Sequence, residues 1–288
     1  MHGTRGLRRG LAAVLVPLVC AGLAGCAQLR DVFSLNTPSA RVTGVRIQDV
    51  GLDAATLLFD VEVTNPLALP LPLANVDYSL ASAGAAFLSG KAQVQGTVPA
   101  TSSKTVSVPA RVVYLELLKV LKGVRPGSVV PYAAEIGFSV DVPSAGPLRL
   151  PLKKEGQLPI PTAPDVEVRS VDWSKVTLDE AGGRVVLGIV NRNQFPVDLS
   201  KLSYALSLGG VEVANASLAK AVSLAASDGA GTLEIPISFS PKQAGLAVLA
   251  MLTGKGSGYS LSGVVDVGTP FGPMSLPIKK VGETIFRR

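Results

Sequence analysis

The chain has 288 residues, with 27 Lys and Arg against 21 Asp and Glu, a net charge of +6 and a mean hydropathy of +0.40. Its two cysteines, Cys20 and Cys26, and its single imidazole, His2, are too few for a disulfide framework or a histidine-rich metal site. Basic residues never run longer than two in a row, so the charge gives no basis for nucleic-acid binding.

At the N-terminus, Arg5, Arg8 and Arg9 precede an apolar stretch, Leu11 to Ala21, that is too short to span a bilayer. Leu23-Ala24-Gly25-Cys26 then follows. This start resembles the lipobox of bacterial lipoprotein signal peptides. The resemblance implies removal of residues 1–25 and lipidation of Cys26. The family's diacylglycerol plus an amide-linked chain would hold firmly, where one chain anchors only marginally. Ala27 stands where an aspartate would favour inner-membrane retention, so the same resemblance implies the periplasmic face of the outer membrane, with residues 26–40 as a tether. Processing would remove His2 and Cys20 and halve the net charge. The mature chain would then lack imidazole, which excludes Ser-His-Asp and Cys-His nucleophiles. The catalytic, metal and cofactor-binding residues expected are therefore none.

Beyond the tether the chain repeats itself at an offset of 126. Asn65-Pro66-Leu67 lies over Asn191-Arg192-Asn193, and Tyr78 lies over Tyr204. Residues 146–156 lie over 272–282 with seven of eleven positions identical. A period this long marks a duplicated domain rather than a solenoid unit. The expected limits are 41–158 and 166–288, joined by a proline-rich linker over 159–165.

Both repeats read as strands. Leu57, Phe59, Val61 and Val63 alternate with Leu58, Asp60, Glu62 and Thr64, the period-2 pattern of a half-buried strand. The pattern returns at Val76–Leu80, Val106–Val112, Ile136–Val142, Leu202–Leu208 and Leu233–Phe239. Leu115–Lys122 has helical spacing and stops at Gly123, and Gln243–Leu252 is its counterpart before Gly254. The fold class expected is all-β: two tandem immunoglobulin/fibronectin-like β-sandwiches, each with one short helix.

Val63-Thr64-Asn65-Pro66 after a strand, an apolar-proline run, a Tyr-bearing strand and Leu150-Pro151-Leu152-Lys153-Lys154-Glu155-Gly156 together resemble the LEA type 2 domain, also called the WHy (water stress and hypersensitive response) domain. The family's Asn-Pro-Asn is Asn65-Pro66-Leu67 in the first repeat and Asn191-Arg192-Asn193 in the second. The resemblance implies a non-enzymatic, desiccation-protective module that limits protein aggregation. An envelope scaffold binding a specific protein partner and a carrier of lipid or another apolar ligand remain open alternatives. The partners expected are the membrane, through Cys26, and partly unfolded clients or an envelope protein, with no nucleic acid.

Asn65 and Asn191 read either as Asx-type turns that fix a strand exit or as ligand contacts. Lys153-Lys154 and Lys279-Lys280 read either as guards of an edge strand or as contacts to anionic headgroups. Trp173, over Ile47, reads as a core position. Ser217-Leu218-Ala219-Lys220, Gly90-Lys91 and Gly254–Gly258 match fragments of catalytic or phosphate-binding motifs, yet lack the companion elements those motifs need. Asp53 and Asp179 match each other singly, in what reads as a turn.

Overall fold

The computed structural model describes residues 37–143, 145–177, 179–240, 257–284 and 286–287. The expected signal segment over 1–25, Cys26 and the helix expected over 243–252 lie outside the described residues.

The first repeat comprises β1 (Ser39–Gln48), β2 (Ala54–Asn65), β3 (Leu71–Ser82), β4 (Ala85–Gln93), β5 (Thr97–Val98), β6 (Ser102–Val113), the helix α1 (Tyr114–Val120), β7 (Val129–Val142) and β8 (Gly146–Pro159). One sheet has the order β1-β2-β6 and the other β4-β3-β7-β8, with β5 paired to β3; their ladders are antiparallel. The second repeat comprises β9 (Asp165–Val176), β10 (Ala181–Asn191), β11 (Val197–Leu208), β12 (Val211–Leu224), β13 (Gly229–Phe239), β14 (Ser257–Gly268), β15 (Met274–Thr284) and β16 (Phe286–Arg287). Its sheets run β13-β10-β9-β16 and β12-β11-β14-β15. Each repeat is a two-sheet sandwich.

The alternation in the sequence explains the packing. In β2, Leu57, Phe59, Val61 and Val63 all reach zero exposure and meet Ile136, Phe138 and Val140 of the opposite sheet in one core. In β10, Val185 and Leu187 also reach zero exposure and Ile189 is 1% exposed, all within the second core. Burying each such side chain contributes about 1.5–3 kcal/mol, so either strand alone nearly fixes which face its sheet turns inward. Trp173 is half-buried and meets Phe239 edge-on at 5.9 Å, at the margin of the core rather than within it.

The helix ends two residues before the expected stop. Leu121 already has extended backbone as the C-cap, and Gly123 takes the left-handed conformation (φ 85°) that turns the chain away. Ala83-Gly84 and Gly209-Gly210, all with positive φ, close the β3–β4 and β11–β12 hairpins as the tight turns that suit strand twist.

Candidate functional site

The inward phase of β2 does not stop with Val63. It carries Asn65 into the core, where the residue has zero exposure, and the same phase in β10 carries Asn191 inward after Ile189. A buried amide must find partners for both its oxygen and its two N–H groups. Asn65 Oδ1 accepts from the Leu67 N–H at 3.0 Å, an Asx turn that folds the chain back at the strand exit. Its Nδ2 lies 2.9 Å from the Leu69 carbonyl, 3.0 Å from that of Pro99 and 3.2 Å from that of Val98. Asn191 repeats the scheme, with Nδ2 donating to the carbonyls of Phe195 at 2.8 Å and Ala225 at 3.0 Å. Its Oδ1 accepts from both the backbone N–H and the Nδ2 of Asn193, at 3.0 and 2.9 Å. Both asparagines therefore act as pins between their own exit turn and the loop opposite, and their polar atoms are directed at the protein itself.

The second pin reaches further than the first. Where the first repeat has Leu67, half-buried against its own core, the second has Asn193 at 1% exposure. Asn193 Oδ1 accepts from the Thr162 N–H at 2.8 Å, and its Nδ2 donates to the Thr162 carbonyl at 3.1 Å. Gln194 continues the contact. Its N–H donates to the Gly127 carbonyl at 2.7 Å, and its Oε1 accepts from the Val129 N–H at 2.9 Å. The linker is held from the other side as well, since Ile160 donates to the Ser128 carbonyl and accepts from the Gly127 N–H. Gly127 is required there twice over. Its φ is 91°, and a Cβ would stand 2.6 Å from the Arg192 carbonyl oxygen. Val50, Leu52 and Val129 of the first repeat also pack on the core of the second. The proline-rich linker is thus clamped between the two sandwiches. The sequence held one sign of this, an apolar residue in one repeat facing an amide in the other at the same position.

The lysine pairs lie on β8 and β15, each the outermost strand of its sheet. Lys153 pairs with Glu135 at 3.0 Å and Lys280 with Asp165 at 3.0 Å. The bidentate pairs Arg149–Asp77 and Arg46–Asp60 lie on sheet faces, and the guanidinium of Arg149 covers Gly137. The hydrogen bond from Arg149 holds the Asp77 carboxyl below the usual carboxylate range, and Lys280 does the same for Asp165. These are the ionic staples of a sheet surface. Ser217 to Lys220 lie within β12, a strand rather than the helix N-terminus that a Ser-x-x-Lys nucleophile needs. Among the described residues no group of three or more His, Cys, Asp or Glu is arranged to hold a metal ion. The enclosed space between the sheets of the second repeat, beside Asn191 and Asn193, measures about 10 Å³, room for one water and not for an acyl chain.

A family model described as "Late embryogenesis abundant protein" matches residues 60–156 and again 186–282. The chain belongs to the late embryogenesis abundant protein family, in its LEA type 2 form. The desiccation protectant protein Lea14 homolog of Glycine max is 31% identical over 135 residues, covering 47% of this chain and 89% of that protein. Lea14-A of Gossypium hirsutum is 27% identical over the same share of each. The solution structure of AT1g01470 from Arabidopsis thaliana is 28% identical, covers 43% of this chain and 82% of that one, and superposes with a TM-score of 0.37. Each match takes in about half of this chain, while the family model matches the chain twice.

Proposed function

We propose that this protein is a non-enzymatic, stress-protective lipoprotein. Residues 1–25 are removed, Cys26 is acylated, and the two LEA type 2 domains face the periplasm from the outer membrane. There they limit the aggregation of envelope proteins during desiccation. The observation that carries this reading is the double family match, together with the names of the relatives, which are desiccation protectants. Two further features support it. The buried polar groups of the strand exits are engaged within the fold rather than turned toward a substrate. Leu23-Ala24-Gly25-Cys26, following the short apolar stretch Leu11 to Ala21, offers Cys26 as the point of lipid attachment.

The mechanism is weak, repeated contact between sandwich surfaces and partly unfolded clients, with the anchor holding the local concentration high. The test mixes the unanchored form beginning at Ala27 with a fragile enzyme and follows turbidity and recovered activity after heating and after drying. Protection above that of albumin at equal mass is the expected result, and protection no better than albumin refutes the reading. Mass spectrometry of the membrane-extracted protein tests the anchor. Acylated Cys26 at the new N-terminus is expected, and an intact residue 1 would contradict it.

A further inference from the structure

The same end of each sandwich meets a different neighbour. In the second repeat that end is the exit turn Arg192-Asn193-Gln194-Phe195-Pro196, which rests on the linker and on Gly127 and Val129. Phe195 is 3% exposed there and meets Phe271 edge-on at 5.3 Å. In the first repeat the turn is Pro66-Leu67-Ala68-Leu69-Pro70, and Leu69, at the place of Phe195, is 57% exposed. Ala145 stands at the place of Phe271. The backbone holds both turns alike, since the Thr101 N–H donates to the Leu67 carbonyl as the Ser227 N–H donates to that of Asn193. A well-tied turn thus presents an apolar side chain to the outside.

The end around Leu69 is also built without charge. Strand register gathers four stretches there. Ser39 of β1 faces Thr64, Ser102 faces Asn65, Val98 faces Leu71, and the β7–β8 turn follows from Leu73 facing Val140. Residues 37–40, 66–73, 94–103 and 142–148 contain no Lys, Arg, Asp or Glu. Ala68, Pro70, Pro99, Ala145 and Pro147 are exposed beside Leu69. At the matching end of the second repeat, Arg192 instead pairs with Asp228 and Asp165. An uncharged end can meet an apolar boundary without the heavy desolvation cost that a charged end incurs. The chain arrives at this end as well. Cys26 lies eleven residues before Thr37, where the described first repeat opens. Eleven residues reach about 40 Å at most, about the length of the twelve-residue β2. Val50 and Leu52, which pack on the second repeat, precede the opposite end of β2. A lipid on Cys26 would therefore keep the Leu69 end near a bilayer, with the second repeat beyond the first.

We propose that the turn 66–70 is a bilayer contact. Leu69 enters the boundary between headgroups and acyl chains, and the first sandwich stands on the membrane with the second repeat held away from it. This rests on the reading of Cys26 as the anchor. One outward leucine binds weakly alone, so it serves as the second point of a two-point attachment. It fixes the angle of the protein at the membrane rather than its presence there. The contact is apolar and takes zwitterionic and anionic lipid alike, which a contact made by the lysine pairs of β8 and β15 would not.

The test supplies its own anchor, so its outcome is independent of whether Cys26 is acylated in the cell. The form beginning at Ala27 keeps both sandwiches and has no cysteine. A histidine tag before Ala27 holds it on phosphatidylcholine vesicles that carry a little nickel-chelating lipid. An environment-sensitive label is placed on Leu69→Cys or on Leu115→Cys, whose leucine is 64% exposed at the other end of the same sandwich. The label at position 69 is expected to shift to the blue and to be quenched by lipids brominated in their acyl chains, with or without added phosphatidylglycerol. The label at position 115 is expected to do neither. Without label, Leu69→Asp is expected to leave the vesicles about tenfold faster than the parent, and Leu115→Asp at the parent's rate. Leu69→Asp keeps the backbone carbonyl to which Asn65 donates, so the turn stays tied. A label at position 69 that remains in water, equal quenching at both positions, quenching that needs phosphatidylglycerol, or an unchanged departure rate for Leu69→Asp would each overturn the proposal. So would shielding of the label at position 69 without vesicles, the mark of a second copy in place of lipid.

Discussion

The two repeats differ most where they look most alike, at the exits of β2 and β10. Asn65 and Asn191 hold the same place, and each ties its exit turn to the loop opposite. Two residues on, Leu67 packs against its own domain, while Asn193 reaches out to the linker and holds Thr162 by two hydrogen bonds. One pin serves a domain and the other also serves the junction. Both sandwiches thus carry the same pinning asparagine, and a different residue two places on fastens one sandwich to the other.

Replacing the pins is the largest perturbation expected. Asn65→Ala removes the donor to three carbonyls and the acceptor for the Leu67 N–H, and should cost about 3 kcal/mol in urea unfolding. Asn191→Ala should cost at least as much, because it also releases Asn193. If the asparagines were ligand contacts instead, both variants would unfold like the parent. Next comes Gly127→Ala, which meets both the positive φ and the Arg192 carbonyl, at a cost of about 2 kcal/mol. It should also make the first repeat unfold separately from the second, visible as two transitions in a thermal scan.

Asn193→Leu makes the second repeat resemble the first at this position. The two bonds to Thr162 and the one from Nδ2 to Asn191 Oδ1 go, about 1–2 kcal/mol is lost, and the core of the second repeat stays intact by near-UV circular dichroism because Asn191 keeps the backbone N–H of residue 193. The smallest effect is that of pH. Asp77 and Asp165 have depressed carboxyl values, so their contribution is full above the ordinary carboxylate pKa of about 4 and is lost as pH falls through the lower folded values. Both are surface pairs, so the loss should stay below about 1 kcal/mol each, and Asp77→Asn should flatten the acid limb. The only imidazole is His2, outside the two repeats, so a titration of stability from about pH 5 to 8 should be level.

Much of the fold was legible because its signals are local. The alternation in residues 57–63 names the buried face of β2, and extending the same phase by one step places Asn65 inside. Gly123 marked where α1 turns away, although the last helical residue is Val120. The clamp was less legible, because no short-range rule says that an amide at position 193 will meet a carbonyl at 162. β16 was not legible at all, since two residues carry no periodicity and their pairing with β9 depends on where the sheet edge lies in space. What the sequence could offer was the offset of 126, and the difference that matters at the junction, Leu67 against Asn193, stands at that offset.

The central claim is that the linker is clamped and the two sandwiches move as one body. Backbone ¹⁵N relaxation of the form beginning at Ala27 tests it most directly, because each repeat reports its own rotational correlation time. The account predicts one shared time for both repeats, which separates into two shorter times in Asn193→Leu. Two distinct times in the unaltered protein would contradict it.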